Sequence, residues 1–163
     1  MSETEVSMES RLICELIGTF ALTFIGAGSI MMGGDLTTVA LAHGVVLAVV
    51  VTATMNISGG HINPAVTIAM MIVKKIDNDA GMKYIGAQLL GAILAGLLLS
   101  QFDGTTIVAS GHGMGTPAPN EGIDLIGVIG VEAVLTFLLM FAIWGTAVDP
   151  RAPAIGGWGI GMM

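Results

Sequence analysis

Four long apolar runs constrain this chain more than any other feature of its sequence. They cover residues 12–32, 39–57, 84–102 and 123–148, and each has about the 20 residues that a helix needs to cross a lipid bilayer. Charged residues make up only 10% of the 163 residues and hydrophobic residues 54%, whereas about 25% of a typical soluble domain is charged. The sequence therefore predicts an all-α polytopic membrane protein.

The composition also argues against several classes of function. A net charge of −7 with only 5 Lys and Arg residues argues against a nucleic-acid partner, because phosphate binding depends on clustered basic residues. The single cysteine, Cys14, cannot form an internal disulfide, and no Cys or His spacing is typical of a zinc site. We therefore expect no metal and no cofactor, and membrane lipid as the surroundings.

Glycine and methionine are abundant, at 24 and 12 residues. Gly86, Gly91 and Gly96 lie in the third apolar run, where small residues allow neighbouring helices to pack closely. The methionines are scattered along the chain, which favours apolar filling of the lipid-facing surface over copper binding.

A short apolar segment, residues 64–73, lies between the second and third runs. It follows the polar stretch 58–63 and is followed by Lys74 and Lys75. Ten helical residues rise about 15 Å, which is about half the thickness of the hydrocarbon layer. We therefore predict a re-entrant half-helix that enters the membrane and leaves on the side from which it came.

The basic residues indicate the orientation in the membrane, because they concentrate on the cytoplasmic side of short loops. A re-entrant half-helix places all of them on one side. They are Arg11, Lys74, Lys75, Lys83 and Arg151. This predicts a cytoplasmic, disordered amino terminus at residues 1–10 and an extracellular loop at residues 103–122, in which His112 is a solvated residue. The plasma membrane is the expected location.

Two segments of the chain resemble each other. Residues 15–28 and 132–145 match at six positions, including Glu15 with Glu132 and Thr19 with Thr136. Each is the lone acid expected to be buried in its apolar run. With three full spans between the starts of the matched segments, the second copy would have inverted topology, as in transport proteins built from inverted repeats.

The polar stretch before the half-helix has features typical of a water-filled path. Irregular backbone at membrane depth needs protein or a water-filled cavity to satisfy its polar groups, and Gly59 and Gly60 would leave their carbonyls available to water. Asn63 is a good N-cap and Pro64 a good first helical residue. The positive end of the half-helix would repel cations, and the Asn63 amide would orient passing water against a proton-conducting chain.

The stretch SGGHINPAVT, residues 58–67, resembles the first pore loop of the aquaporin (major intrinsic protein) family, whose signature is an Asn-Pro-Ala triplet. Here the triplet is Asn63, Pro64 and Ala65. Residues 14–29, 87–96 and 131–153 resemble the first, third and fourth helices of the family, loosely those of microbial members. The resemblance implies an aquaporin-like right-handed helix bundle with an inverted repeat, two re-entrant half-helices, a pore in each protomer and a homotetramer.

The resemblance also implies roles for individual residues. His43 aligns with the narrow outer selectivity filter, where histidine is similar to plant vacuolar types, although the residues alone fit a packing role equally well. The other candidates for lining the pore loop are Leu47, Ser58, Gly59, Gly60, His61 and Val66. Glu15 is a costly buried acid, which we expect to pair with His61 or the loop backbone and to brace the half-helix. Glu132 is expected to brace the second half in the same way, although any polar neighbour could satisfy either acid.

Against the family pattern, we expect this chain to hold the first repeat at residues 11–102 and the start of the second at 123–163. It would end before the second Asn-Pro-Ala motif and not conduct alone. The expected function of the complete protein is a passive channel for water and small neutral solutes such as ammonia, urea or glycerol. One alternative is a non-conducting, truncated membrane protein that associates with full-length channel subunits. A membrane-embedded enzyme ranks last, because His43, His61 and the two acids show no catalytic spacing.

Overall fold

The computed structural model describes residues 6–102, 115–116 and 122–163. All regular structure in these ranges is helical, and four helices are long and apolar enough to cross a membrane. The predicted all-α polytopic membrane fold is therefore confirmed. Most of the predicted extracellular loop at 103–122, including His112, lies outside the described residues, as do residues 1–5 of the predicted disordered amino terminus.

The helices follow the four apolar runs and the short segment between the second and third runs. In chain order they are α1 (Met8–Met31), α2 (Leu36–Thr54), α3 (Pro64–Ile72), α4 (Asn78–Leu99), α5 (Leu125–Ile143) and α6 (Trp158–Gly161). A 3₁₀ turn, Ser100–Phe102, extends α4, and a π-helical segment, Trp144–Val148, extends α5. The nine residues of α3 rise about 14 Å. This helix is too short to cross the bilayer, as expected of a half-helix.

Side-chain caps determine where five of these helices begin. The capping residues are Ser7, Asp35, Asn63, Asp77 and Asp124. α1 begins at Met8 and α4 at Asn78, four and six residues earlier than the apolar runs indicated, because their first turns are polar. Residues 8–10 are consequently helical, where the sequence predicted disorder. The hydrogen bond from the Thr38 N–H lowers the pKa of the Asp35 carboxyl group. The hydrogen bond from the Ala80 N–H lowers the pKa of the Asp77 carboxyl group in the same way.

The main packing of the helices is between α1 and its neighbours α2 and α4. α1 contacts both α2 and α4, α3 lies against α4, and α6 lies against α2. The buried core follows α3 and its neighbours from α2 to α6. Its residues include Val51, Ile62, Val66, Met70, Tyr84, Ile143 and Ile160. One face of the short helix, with Val66, Thr67 and Met70, is therefore buried, while Ile68 and Ile72 on the other face are exposed.

α5 is the least covered span. Only 6% of its apolar window is buried, against 22% for α1 and for α4. Its core contacts come from Leu139, Met140 and Ile143 near its end, about two turns beyond Glu132. The side chain of Glu132 is exposed, which corrects the expectation of a buried acid. The reason is that, among the described residues, other helices pack only against the last part of α5.

Gly91 allows α4 to approach α1 at backbone distance. A Cβ at this position would collide with the carbonyl oxygen of Leu16, whereas a Cβ at Gly86 or Gly96 would meet nothing within 4 Å. Of the three glycines expected to permit close packing, only Gly91 does so. The spacing of small residues could not distinguish them, because it does not show which face meets another helix.

We expect Gly91→Ala to lower the free energy of unfolding by about 1–3 kcal/mol, because the added methyl group forces α1 and α4 apart. Gly86→Ala is the matched control and should be neutral or stabilising by up to about 1 kcal/mol, since alanine favours a helix over glycine. Unfolding by SDS in mixed micelles, followed by tryptophan fluorescence, measures both. Equal changes in the two variants would contradict the close approach at Gly91.

Candidate pore loop and cavity

The candidate site is built on the loop that joins α2 to α3. Three of the four residues at positions 59–62 have positive φ: Gly59 at 91°, Gly60 at 61° and Ile62 at 54°. Glycine adopts this left-handed backbone without steric cost, whereas for a β-branched residue it is a genuine outlier. The conformation of Ile62 must therefore be held by its surroundings.

Contacts from α1 hold Ile62 in place. Its side chain is buried and packs against Gly18, where a Cβ would lie 2.8 Å from the isoleucine side chain. Its carbonyl oxygen accepts a hydrogen bond from Thr19 Oγ1 at 3.2 Å, and its N–H donates to Glu15 Oε2 at 2.6 Å. Sequence analysis missed Ile62, because its residue type carries no signal for a left-handed backbone.

Glu15 is fully buried and accepts four hydrogen bonds. Oε1 accepts from Ser58 Oγ at 2.6 Å and from the His61 N–H at 3.0 Å. Oε2 accepts from the Ile62 N–H at 2.6 Å and from Gln88 Nε2 at 2.7 Å. The carboxylate thus binds the loop backbone, which is one of the two pairings proposed from the sequence. Bonds to an ionised acceptor are stronger than neutral ones, so Glu15 fastens the loop to α1.

The His61 ring points away from Glu15, towards α3. Its Nδ1 lies 3.2 Å from Thr67 Oγ1, and Gln88 Nε2 donates to the same hydroxyl at 2.9 Å. Gln88 and Thr67 are both fully buried and were not predicted as site residues. The available signal was a glutamine well inside the third apolar run, since a polar residue inside a span faces other polar groups.

Tyr84 ties the other side of the loop to α1 and α4. Its hydroxyl donates to the carbonyl oxygen of Ser58 at 2.7 Å and accepts from Arg11 Nε at 2.6 Å. The Arg11 guanidinium lies 5.2 Å from the centre of the tyrosine ring, and the His61 ring packs edge-on against it at 5.3 Å. The loop is therefore held from α1, where Glu15 accepts its hydrogen bonds, and from α4, where the Tyr84 hydroxyl donates one.

Asn63 and Pro64 form the start of α3 as the sequence predicted. Asn63 Oδ1 accepts a hydrogen bond from the Ala65 N–H at 2.8 Å, and Pro64 is the first helical residue. Because the carbonyl end of the Asn63 side chain is used by this cap, its NH₂ group remains available as a donor. The electropositive end of α3 lies at the same place.

A cavity of about 240 Å³ lies beside this loop, between α1, α2, α3 and α5. Its polar wall includes Gly59, Gly60, His61 and Asn63, and its apolar wall includes Leu22, Leu47, Val66, Leu139 and Ile143. Six of the candidate pore residues therefore meet at one cavity: the two loop glycines, His61, Asn63, Leu47 and Val66. In the described part of the chain, no group of three His, Cys, Asp or Glu side chains could hold a metal ion.

The remaining candidate residues lie elsewhere. Ser58 is buried behind the loop, where its hydroxyl bonds to Glu15, while Pro64 and Ala65 form the first turn of α3. His43 lies on α2 one turn before Leu47, with Nδ1 2.8 Å from the carbonyl oxygen of Val39. Its ring packs where a Cβ on Gly26 of α1 would stand, and it does not line the cavity described above.

Comparison with known proteins places the chain in a family. The family model for major intrinsic proteins matches residues 2–162. An aquaporin from Zea mays, TIP4-4, is 43% identical over 159 residues, covering 91% of this chain and 61% of the relative. Aquaporin AqpM from Methanothermobacter thermautotrophicus is 42% identical over 171 residues, covering 91% of this chain and 69% of the relative.

A solved structure is also similar in fold. The aquaglyceroporin from Plasmodium falciparum superimposes with a TM-score of 0.77 at 25% sequence identity, covering 96% of this chain and 69% of that chain. This chain thus spans about 61–69% of the length of these relatives. The match along nearly the whole chain, together with the cap at Asn63 and the buried carboxylate behind it, shows that the chain belongs to the major intrinsic protein family.

Proposed function

We propose that this chain forms part of a passive transmembrane channel for water and small neutral solutes. The observation that carries the proposal is the cavity at the start of α3, where the Asn63 side chain and the loop glycines face apolar side chains from three spans. Relatives named as aquaporins and the similar aquaglyceroporin support the same class of function.

The composition of this cavity suits neutral, hydrogen-bonding solutes. Apolar residues such as Leu22, Leu47 and Val66 offer water nothing to bind, so a permeating molecule would bind only at the polar wall and at Lys75. Such a lining lets water pass without holding it. Solutes that carry charge would lose their hydration without replacement, which costs several kcal/mol per ion.

The start of α3 also explains how ions would be excluded. The positive end of the helix dipole at Pro64 repels cations, and no carboxylate lines the cavity in the described part of the chain. The Asn63 NH₂ group would donate a hydrogen bond to the oxygen of a passing water molecule. The hydrogens of that water molecule would then point away from Asn63. A continuous proton-conducting chain would be interrupted at this point.

Five finer features belong to the same proposal. The orientation of the basic residues supports a cytoplasmic amino terminus, and the plasma membrane is the proposed location. A homotetramer is proposed from the family resemblance. His43, one turn from Leu47 on α2, is proposed as the outer filter. Glu132 is proposed to brace a second half-helix, as Glu15 braces α3.

The main alternative is a non-conducting membrane protein that associates with full-length channel subunits. It is supported by the small buried fraction of α5 and by the exposed Glu132, because a carboxylate facing lipid is costly and would gain from a protein neighbour. An enzyme has less support, since the relatives named above are channels by name. The two leading proposals differ in what the chain does to the flux of another channel.

Proteoliposomes separate these proposals. We expect the chain fused at residue 163 to the remaining part of AqpM to shrink vesicles rapidly under osmotic stress, as followed by stopped-flow light scattering, without a proton leak in a pH-dye assay. The alternative predicts no flux from the fusion and a changed flux when the unfused chain is added to full-length AqpM. A proton flux comparable to the water flux would refute the exclusion argument at Asn63.

Asn63→Asp tests the role of the helix end. Aspartate caps a helix as well as asparagine, so α3 should remain, but the added negative charge would offset the positive dipole. We expect proton or cation flux to appear in the fusion while water flux persists. Asn78→Asp, at the first residue of α4 away from the cavity, is the matched control. A proton-tight Asn63→Asp variant would show that the dipole does not exclude ions here.

Glu15→Gln tests the brace behind the loop. Its NH₂ group would face donors that now bind a carboxylate, so we expect the free energy of unfolding to fall by about 1–3 kcal/mol and the water flux of the fusion to decrease. Glu9→Gln is the control, because Glu9 lies exposed in the first turn of the same helix. SDS unfolding and stopped-flow scattering provide the two readouts. Indistinguishable variants would mean that the carboxylate is dispensable.

His43→Phe tests the filter proposal. The larger, apolar ring should narrow the path and remove a hydrogen-bonding group, so we expect lower uptake of ammonia and urea by the fusion while water flux is retained. Val45→Phe, at an exposed position on the same helix, controls for the added bulk. Unchanged uptake of both solutes would remove His43 from the filter.

A further inference from the structure

A second cavity lies at the opposite end of α3 from Asn63. Its volume is about 330 Å³, and we call it the basic vestibule. Its lining includes Arg11, Ile57, Ser58, Gly59, His61 and Lys75. Two cationic side chains from distant parts of the sequence, one on α1 and one after α3, therefore meet at one cavity. No carboxylate contributes to its lining within residues 6–102, 115–116 and 122–163.

Neutral groups contact both cations without cancelling their charge. Arg11 donates through Nε to the Tyr84 hydroxyl at 2.6 Å, which leaves its terminal nitrogens free of that bond. Lys75 Nζ lies 5.8 Å from the centre of the Trp144 ring. Among the described side chains, ion pairs form only at Lys83 and Arg151, so neither cation of the vestibule forms an ion pair with a described residue.

Helix dipoles explain only one of these cations. Lys75 follows the end of α3, where a positive charge is favourable. Arg11 lies within the first turn of α1, at the positive end of a helix dipole, where a cation is unfavourable. Its position thus opposes the local field, and an anion between the two side chains would relieve that repulsion.

We propose that the basic vestibule binds a phosphate monoester group as its dianion. The two cations match the two negative charges, and a guanidinium together with an ammonium is a combination that proteins use to bind phosphate. The terminal guanidinium nitrogens can donate to two phosphate oxygens at once, while Lys75 supplies a third contact. The group could belong to a soluble phosphate compound or to a phosphorylated lipid headgroup, since the chemistry is shared.

A bound phosphate would stand at the entrance of the proposed path. Gly59, His61 and Lys75 line both the vestibule and the cavity beside Asn63, so an occupant held by Lys75 would obstruct movement between them. The effect on flux rests on the proposed channel function. The binding itself does not, and the two can be tested apart.

Binding is measured first, on the chain in nanodiscs of neutral lipid. The chain has 2 tryptophans, and Trp158→Phe leaves Trp144, which lies beside Lys75, as the reporter. We expect titration with inorganic phosphate to change its emission with saturation. Arg11→Gln, which leaves the reporter and its lysine intact, should weaken binding about tenfold or more, as loss of one charge-assisted contact predicts.

A second pair of variants controls for folding and for general charge. Lys75→Met, measured by isothermal titration calorimetry, should weaken phosphate binding about as much as Arg11→Gln. The Lys75 side chain forms no hydrogen bond with the described part of the chain. Lys83→Met removes an exposed cation that pairs with Asp79 and should bind phosphate normally. Equal weakening in Lys83→Met would reduce the effect to net charge and overturn the proposal.

The source of the phosphate is distinguished with nanodiscs of different lipids. If the vestibule takes a soluble ligand, inorganic phosphate saturates the reporter in neutral nanodiscs. If it takes a headgroup, the same change appears with phosphatidylinositol 4-phosphate and not with phosphatidylserine, which lacks a monoester. Either result supports phosphate binding when Arg11→Gln and Lys75→Met weaken it. No saturable response in any of these nanodiscs, or a response that both variants retain, would overturn it.

Discussion

The fold around the site depends on one buried carboxylate. Glu15 sits inside a membrane span without exposure to solvent, a position that is costly unless its oxygens are satisfied. Four donors satisfy them, and two are backbone N–H groups of the α2–α3 loop. The dependence is mutual, since the loop N–H groups would otherwise be unpaired at membrane depth. The acid and the irregular loop therefore satisfy each other's hydrogen-bonding groups inside the span.

The same residue pattern has different surroundings in α1 and α5. Glu15 and Glu132 occupy matching positions in the internal repeat, yet one is fully buried and the other exposed. The difference arises from what packs against each helix: α1 is covered by α2, α4 and the loop, whereas α5 has contacts mainly near its end. A sequence repeat thus predicts equivalent chemistry, but burial is decided by neighbouring elements.

Sequence patterns predicted the helices of the fold better than the contacts between them. Hydrophobic runs predicted four spans, and the Asn-Pro step predicted the start of α3 at Pro64, because both signals are local. Helix starts such as Met8 were missed where the first turn is polar. The partners of Gln88, Thr67 and Tyr84 could not be predicted, since a lone polar residue in a span indicates the need for a partner and not which one.

The contact between Gly18 and Ile62 has an evolutionary consequence. The residue with the left-handed backbone at position 62 is an isoleucine, and its side chain fills the space left open by a glycine on α1. A larger residue at position 18 would displace the loop, and a smaller one at position 62 would leave a void. Drift at either position alone is therefore disfavoured, and compensated double replacements are the route by which homologous sequences should diverge at this pair.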